Sequence, residues 1–451
     1  MSLAKSTIAT IRFGYGFHGA QTPPDGRNGL LDGLDRAART APIFKAPSLK
    51  DRRSRIDDMI AERKRSGKGE KFQEMRKQMR RDAMRDAAQV VLQRALSPHG
   101  FYERLAGFWA DHFAISGRNA GQFFTATTFE PEAIRPHLMG HFADMLVAVV
   151  RHPVMLNYLD QVSSFGPNSR AGRKRGKGLN ENLAREVLEL HTLGVDGPYG
   201  QRDVRELAEL LTGYGVHRGF GAFRFFPQRA EPGPETVLGQ SYGGDPAQAS
   251  HAEDFLQDIA VHEITARHMA SKLAIHFVSD QPDAGLVDRL SAVWVQSRGH
   301  LPTVYEALLD HPAAWQGPFA KVRQPMDLVA ATIRAMGLQK NDLARGGRSS
   351  GLRIVRVLRD LGQPLMRPPG PDGWPEEAEA WITPQGLAAR LSYAGKVGQL
   401  IAKRSDADPR KFAEAALRDA LRPETAFAVG GAPDRWEGFA LVLASPEFNR
   451  R

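Results

Sequence analysis

The chain has 451 residues, of which 42% are hydrophobic and 25% are charged, and this balance is typical of a soluble globular protein. It contains no cysteine, which excludes disulfide bonds, thiolate metal sites and cysteine nucleophiles. The net charge of +10 resides in two segments, 51–86 and 170–177, which contribute +5 each, so the rest of the chain is neutral.

The N-terminal sequence MSLAKSTIATIRFGYGFHG has neither an apolar stretch of secretory length nor a small-residue cleavage pattern. We therefore expect a cytoplasmic protein. The most apolar short run, residues 145–150, is far below the roughly 20 residues needed to cross a bilayer, so no membrane span is expected.

Residues 51–86 contain thirteen Lys or Arg and eight Asp or Glu, and the two signs alternate. Such alternation is typical of a solvated helix surface and does not favour nucleic-acid binding, which requires cations without interleaved acids. The pattern predicts a long charged helix or a pair of helices over 52–96, broken at Gly67 and Gly69.

Four short segments place a polar residue directly before a proline, between two helical runs. Because proline is tolerated in a first helical turn, each segment predicts the end of one helix and the start of another. His152 and His311 are therefore expected to be capping residues rather than ligands. The four segments are Leu96-Ser97-Pro98, Arg151-His152-Pro153, Asp310-His311-Pro312 and Ser445-Pro446-Glu447.

The segment 101–150 begins with a helix that carries an aromatic face and ends near His112. His112 is a candidate catalytic base, and the alternative is a hydrogen-bonded core histidine. His137 and His141 are four residues apart, the spacing of a zinc pair, but no glutamate follows His137 as in HExxH. We predict no metal site.

The chain is organised around residues 164–213, which begin with a loop that has five cations and no acid over 170–177. This loop is either a solvated surface or an anion-binding site. The candidate anion-binding residues here are Asn168, Arg170, Arg173 and Arg175.

A helix follows, capped by Asn180 and terminated by Gly194. Helical spacing places Asn182, Glu186 and Glu189 on one face with no cation in the line. Two carboxylates in this arrangement can bind a metal or share a proton, and the alternative is structural hydrogen bonding.

Further predictions concern other polar residues of segment 164–213. Arg185 is expected to pair with Glu181 and is also a candidate anion-binding residue, and His191 is a candidate proton shuttle or an anchor for the glycine turn. A second helix starts near residue 200, and Arg202 and Arg205 on it are expected to reach the carboxylates of the first.

The segment GPNSRAGRKRGKGLNENLAREVLELHTLGVDGPYGQRDVRELAELLTGYGV is very similar to the signature of the bacterial family catalogued as domain of unknown function 1800. Supporting matches are IRFGYG near the start, FWADHF at 108–113, TARHMASKLAIHFVSD at 265–280, KVRQPMDLV at 321–329, GQPLMRPPGPDGWP at 362–375 and LASPEF at 443–448. The resemblance implies a common fold but no established activity. It also suggests a partner that resembles sulfatases and alkaline phosphatases, and export as the alternative to a cytoplasmic location.

After the signature, residues 216–240 are rich in glycine and aromatics and predict a short β-hairpin or an irregular excursion, with strands near 223–225 and 236–238. Helical periodicity returns from about 247 to 338. Lys272 and His276 flank the apolar face there and are expected to be solvated or salt-bridged.

The segment 362–381, which we call the strap, cannot form a long helix because it contains five prolines. Long irregular segments on a rigid scaffold commonly line sites. We expect Arg367 and Trp374 to fold back toward the 180–191 helix, and the alternative is a strap that only seals the core.

The fold class expected from these patterns is mainly α, a multi-helix orthogonal bundle with the hairpin or excursion near 216–240. One helical domain is expected over 1–451, with possible sub-bundles 1–160, 161–338 and 353–451. No Walker motif and no G-x-S-x-G motif is present, and we predict no cofactor.

The function expected first is an accessory or binding module that acts with a partner protein through 164–213. The alternative is a hydrolase-like or metal-dependent enzyme that uses Glu186, Glu189 and His191 on an anionic substrate. Polyanion binding, whose affinity falls with salt, is a third possibility.

Overall fold

We describe the protein from a computed structural model, which covers residues 3–117, 120–217, 221–317, 319–345 and 349–451. The described residues are mainly helical, with two small antiparallel sheets, which confirms the predicted fold class.

The helices follow one another with short connections. Helices α1 to α8 span Lys5–Arg12, Arg27–Ala38, Leu49–Ser66, Glu70–Leu96, Gly100–His112, Ala120–Ala126, Phe142–Arg151 and Pro153–Tyr158. Helices α9 to α16 span Arg170–Arg175, Asn182–Glu189, Gln201–Leu210, Ala249–Ala260, Glu263–Phe277, Ala284–Gln296, Leu301–Asp310 and Pro325–Ala335. Helices α17 to α24 span Lys340–Arg345, Ser349–Asp360, Ala378–Trp381, Pro384–Arg404, Pro409–Leu417, Pro423–Gly430, Arg435–Ala444 and Pro446–Asn449.

The strands lie where the glycine-rich and aromatic segment predicted them. Strand β1 (Tyr214–Val216) pairs with β2 (Phe223–Phe225), and β3 (Gly233–Val237) pairs with β4 (Gln240–Gly244), both antiparallel. Residues 218–220 of the predicted excursion lie outside the described residues. Strands β3 and β4 pack against α11 and α12, whereas β1 packs against α8.

The predicted helix joints are confirmed by their caps. His152 Nδ1 accepts a hydrogen bond from the Val154 N–H at 3.2 Å, and His311 Nδ1 accepts one from the Ala313 N–H at 3.3 Å. Each histidine thus satisfies one of the free N–H groups of a first helical turn. The predicted break between α3 and α4 is also present, with Gly67 in the left-handed region at φ 65°.

Among the described residues, the core consists of three large hydrophobic clusters and a small fourth one around Phe124. The largest contains side chains from residue 8 to residue 420 and packs around α5, α7, α10, α13 and α15. A second joins α4 to α16 and α18, and a third joins α16 to α20, α21 and α23. The division into three sub-bundles stays a prediction. Within the described ranges, no helix combines the length and the apolar character that a bilayer crossing requires.

Candidate functional site

The polar face of helix α10 is partly exposed to solvent. The Asn182 N–H donates to Asn180 Oδ1 at 2.9 Å, so the predicted cap is present. Glu186 and Glu189 are half-buried, whereas Asn182 is exposed. Arg185 pairs with Glu181 at 3.4 Å, as the spacing predicted.

The electrostatic surroundings of Glu186 include the strap. Burial raises the pKa of Glu186 to about 7, and the negative charges of Glu189 and Asp372 contribute in the same direction. Since Asp372 belongs to the strap, this part of the strap lies within electrostatic reach of α10. Arg367 is exposed and takes no part in this interaction.

Trp374 fixes the strap to the end of α5. Its N–H lies 3.2 Å from both carboxylate oxygens of Asp111. Gly373 approaches the same residue so closely that a Cβ there would lie 2.5 Å from the Asp111 carbonyl oxygen. Only glycine fits this approach, so the strap is seated on α5 rather than merely covering it.

His112 and His191 are neighbours, but they lie in the aromatic core and not on the carboxylate face. Their exposures are 2% and 1%, and His112 Nε2 lies 3.3 Å from the His191 carbonyl oxygen. The His191 ring packs edge-on against Phe113 at 5.0 Å. Burial lowers the pKa of His191 to about 3 and that of His112 well below its usual value, so both rings are neutral at pH 7.

His268, rather than His191, holds the turn after α10. Its ring stacks so closely on Gly194 that a Cβ there would lie 3.0 Å from Nδ1, and it is hydrogen-bonded to the Leu190 carbonyl. The expectation that the His191 ring anchors this turn is therefore wrong. His191 contributes its backbone instead, with its N–H donating to the Glu186 carbonyl at 2.9 Å.

Lys272 departs from its expected solvated or salt-bridged state. It is half-buried on α13, and within the described ranges its ammonium group has no ion pair and no hydrogen bond. Burial lowers its pKa, although the negative charges of Asp111, Glu376 and Asp372 oppose that shift. A partly desolvated lysine of this kind can accept an anion or exchange a proton.

Asp111 complements Lys272. Burial raises the pKa of Asp111 to about 7, and the charge of Glu376 adds to the effect. A carboxyl group with this pKa is partly protonated at neutral pH and can both donate and accept a proton.

Beneath the strap, Glu376 is the centre of an ionic network. It pairs with His276 through Oε1 and with Lys321 at 3.0 Å through Oε2, and Arg451 lies 3.9 Å away. Burial alone would raise the pKa of Glu376, but these three groups hold it well below the usual value. Glu376 is thereby a carboxylate partner of His276, 100 residues away in sequence.

Seven cations, from residues 170–177 and 224–229, form a group that we call the basic surface. It consists of Arg170, Arg173, Lys174, Arg175, Lys177, Arg224 and Arg229. Within the part of the chain that the structure describes, none of the seven forms an ion pair with an acid. All but Arg229 are exposed.

Two phenylalanine rings connect these cations. Arg229 lies 4.9 Å from the Phe165 ring centre and 4.4 Å from that of Phe226. Arg175 and Lys177 also face Phe165, at 5.9 and 5.5 Å. The rings are therefore already occupied by guanidinium and ammonium groups.

Asn168 has a structural contact instead of an open binding position. Its N–H and its side-chain amide donate to the Glu231 carboxylate at 2.8 and 2.6 Å. Its side-chain oxygen accepts from Arg173 at 3.2 Å. Asn168 thus links the basic surface to the loop after β2.

Arg202 and Arg205 do not reach α10, contrary to expectation. They pair with Glu206 and Glu209 on their own helix, at 3.4 and 3.1 Å. With Glu235 these two glutamates form the one set of three close potential metal ligands in the described ranges. Burial, with help from Glu209, raises the pKa of Glu235 to about 8, so the group shares a proton.

Sequence reasoning missed Asp111, His268 and Glu376. Each lies far in sequence from the residues it meets, since Trp374 follows Asp111 by 263 positions and Glu376 follows His276 by 100. The only local signals were the DH pair in FWADHF and the proline-rich strap, and neither indicates which helix the strap contacts.

Comparison with known proteins gives one result. A family model described as "Protein of unknown function (DUF1800)" matches residues 8–450, nearly the entire chain. No curated protein and no solved structure matches.

Proposed function

The chain belongs to the DUF1800 family of proteins of unknown function, and we propose that it is a binding module that docks an acidic partner protein through its basic surface. The observation that carries the proposal is a cluster of seven cations without an acidic partner in the described ranges. Such a surface attracts a complementary negative surface and raises the association rate.

A protein partner fits this surface better than a nucleic acid. Sequence-independent binding of single strands uses aromatic rings that are open for base stacking. Phe165 and Phe226 are instead covered by Arg229, Arg175 and Lys177. The cations are also gathered around one short helix, α9, rather than spread along a groove.

The family resemblance suggests a sulfatase-like or alkaline-phosphatase-like protein as this partner. The compartment belongs to the same proposal, and the two candidates are the cytoplasm and a location outside it. Cell fractionation with an antibody against the chain distinguishes the two.

A matched pair of variants tests the docking surface. The tripeptide Arg-Lys-Arg occurs at 173–175 and again at 63–65, each time in the last turn of a helix. Replacing all three residues by glutamine changes the net charge equally at both places. Fluorescence anisotropy with a labelled oligoglutamate should show affinity on the order of tenfold lower for the 173–175 variant only.

The salt dependence and a second probe complete the test. Oligoglutamate affinity of the wild type should fall between about 50 and 200 mM salt, and the 173–175 variant should show a shallower fall. Equal effects of the two triple variants would contradict a localised surface, and tighter binding of single-stranded DNA than of oligoglutamate would contradict a protein partner. Co-expression with the sulfatase-like protein of the same genome then tests the partner's identity.

Acid–base catalysis on an anionic substrate at α10 is a second candidate function. The half-buried Glu186, with a pKa of about 7, and the unpaired ammonium group of Lys272 favour it. Carbon NMR titration of Glu186, with Glu189→Gln and Glu186→Gln for assignment, measures this pKa directly. A value near 4.5 would remove the basis for this function.

A further inference from the structure

A cavity of about 120 Å³ lies between α4, α5, α16 and the strap. Water occupies about 30 Å³ per molecule in the liquid, so the space suffices for about four waters or a small organic ligand. Titratable side chains line it. They include Arg94, Arg104, Asp111, His276 and Asp327.

His276 has one ring nitrogen committed and the other open. Its Nδ1 contacts the Glu376 carboxylate, which accepts hydrogen bonds and has no proton to give because its pKa is held well below the usual value. The Nδ1 atom therefore carries the proton and donates it. In the neutral ring Nε2 is left as an acceptor, and it is buried with no hydrogen-bond partner among the described residues.

The neutral form of His276 predominates at pH 7. Burial lowers its pKa to about 4, against the charge of Glu376, and the charges of Arg451 and Arg104 support the shift. The residue is only 8% exposed, so the surrounding protein fixes the orientation of its ring. A fixed neutral imidazole that is oriented by a carboxylate is well suited to accept a proton or a hydrogen bond.

Arg94 is the cation of this cavity whose hydrogen bonds are incomplete. Its exposure is 8%, its Nε has no hydrogen-bond partner in the part of the chain that the structure describes, and the carboxylate of Glu130 is 3.4 Å away. Its remaining contact is with the Met326 sulfur, a weak acceptor. Arg104 differs, because it donates twice to the Gly14 carbonyl and pairs with Asp327 at 2.9 Å.

Asp111 supplies a carboxyl group to the same cavity. Its oxygens accept from the Trp374 N–H, and burial raises its pKa to about 7. A protonated fraction is therefore present at neutral pH and can donate a hydrogen bond to a ligand.

From these groups we propose that the cavity beneath the strap binds small hydroxy carboxylates, with the carboxylate on Arg94 and the hydroxyl donating to Nε2 of His276. The carboxylate satisfies the open donor of Arg94, and the hydroxyl satisfies the open acceptor of His276. Both buried atoms then gain the partner that the protein does not provide. The proposal is independent of the two functions proposed above, since neither uses Arg94 or His276.

Isothermal titration of the purified full chain with glycolate and with acetate tests the proposal. The two probes share the carboxylate and differ in the hydroxyl. Glycolate should bind the wild type about three- to tenfold more tightly than acetate, as expected for one additional hydrogen bond. Absence of measurable binding by either probe would overturn the proposal and leave a cavity that holds only water.

Two variants separate the roles of the cavity residues. Arg94→Met should weaken both probes by about tenfold or more, because a charge-assisted hydrogen bond is lost, while Glu130 keeps Arg135 at 2.7 Å. His276→Leu should leave acetate binding intact and remove the preference for glycolate. Retained acetate binding also shows that this variant is folded.

The controls keep each outcome decisive. Arg80→Met removes an exposed arginine from the same helix, α4, and should change neither affinity. Arg94→Lys retains the charge without the Nε–H group and replaces the methionine variant should that protein not fold. A glycolate preference that persists in His276→Leu would overturn the assignment of the hydroxyl, and affinities that are unchanged in both Arg94 variants would overturn that of the carboxylate.

Discussion

His191 and His276 are both buried among aromatic rings, yet their surroundings differ in two respects. The His191 ring packs on Phe113, and its Nδ1 has no partner. His276 has a carboxylate on Nδ1 and lines a cavity with Nε2 open. Burial alone makes a histidine neutral, but a carboxylate at one nitrogen and space at the other make it chemically usable.

The largest predicted effect is a loss of stability when the Glu376 carboxylate beside His276 is removed. In Glu376→Ala, the buried Lys321 and Arg451 lose a counter-charge, and removing one partner of a buried ion pair lowers the free energy of unfolding by about 3–5 kcal/mol. Urea unfolding at pH 7 measures the loss. The neighbouring exposed Glu377→Ala serves as the control, and equal small effects would show that the network beneath the strap is not buried as described.

A second prediction concerns Asp111, which faces the same cavity. Its folded pKa of about 7 lies above the ordinary value of 3.8, so the folded state retains a proton that the unfolded state loses between these values. The stability it contributes is present below pH 3.8 and is lost as pH rises to about 7. Asp111→Asn, which stays neutral, should therefore stabilise the protein by up to about 4 kcal/mol at pH 8 and little at pH 4.

Unfolding of both proteins as a function of pH checks this difference. The exposed Asp288→Asn is the matched control, with an expected change within about 0.5 kcal/mol. A stability difference between Asp111→Asn and wild type that does not grow with pH would contradict the buried position of Asp111.

The third prediction concerns the pH dependence of stability that results from the buried His191. Its folded pKa of about 3 lies below the ordinary value of 6.5, so between these values only the unfolded state binds the proton. Stability is therefore lost as pH falls from 6.5, by about 1.4 kcal/mol per pH unit for this group. His191→Phe should show a shallower decline between pH 6.5 and 4. Parallel stability curves for the variant and wild type would place the His191 ring in solvent.

The smallest expected effect belongs to the capping histidines. His152→Ala removes the acceptor of the Val154 N–H and the contact with Glu132 at 3.2 Å, and should lower the free energy of unfolding by about 1 kcal/mol. His152→Asn provides another capping side chain and should restore most of the loss. A thermal unfolding series of the three proteins distinguishes these outcomes, and identical loss in both variants would exclude capping as the cause.

Features governed by neighbouring residues could be predicted from the sequence. Proline in a first turn predicted the caps at His152 and His311, glycine predicted the break at Gly67, and aromatic and glycine content predicted strands near 223–225. In each case the physical cause acts over a few residues.

The surroundings of the histidines could not be predicted in this way. His276 looked like a flanking cation of an amphipathic helix. Its partner Glu376 lies on the strap, whose prolines exclude a long helix but do not reveal which residues the strap contacts. Lys272 was expected to be solvated or salt-bridged for the same reason, since helical spacing does not reveal that Asp111 and the strap lie within electrostatic reach of it. Packing between distant segments determines both environments, and the hydrophobic periodicity of a single helix does not predict that packing.

The ring tautomer of His276 tests the central claim most directly, and nitrogen NMR of protein labelled at histidine measures it. The account predicts a protonated Nδ1 and an unprotonated Nε2 from pH 6 to pH 8. In Glu376→Gln, the amide oxygen should stay toward Lys321 and Arg451, so that the amide N–H faces Nδ1 and the ring proton moves to Nε2. A proton on Nε2 in the wild type, or titration of the ring near pH 6.5, would contradict the account.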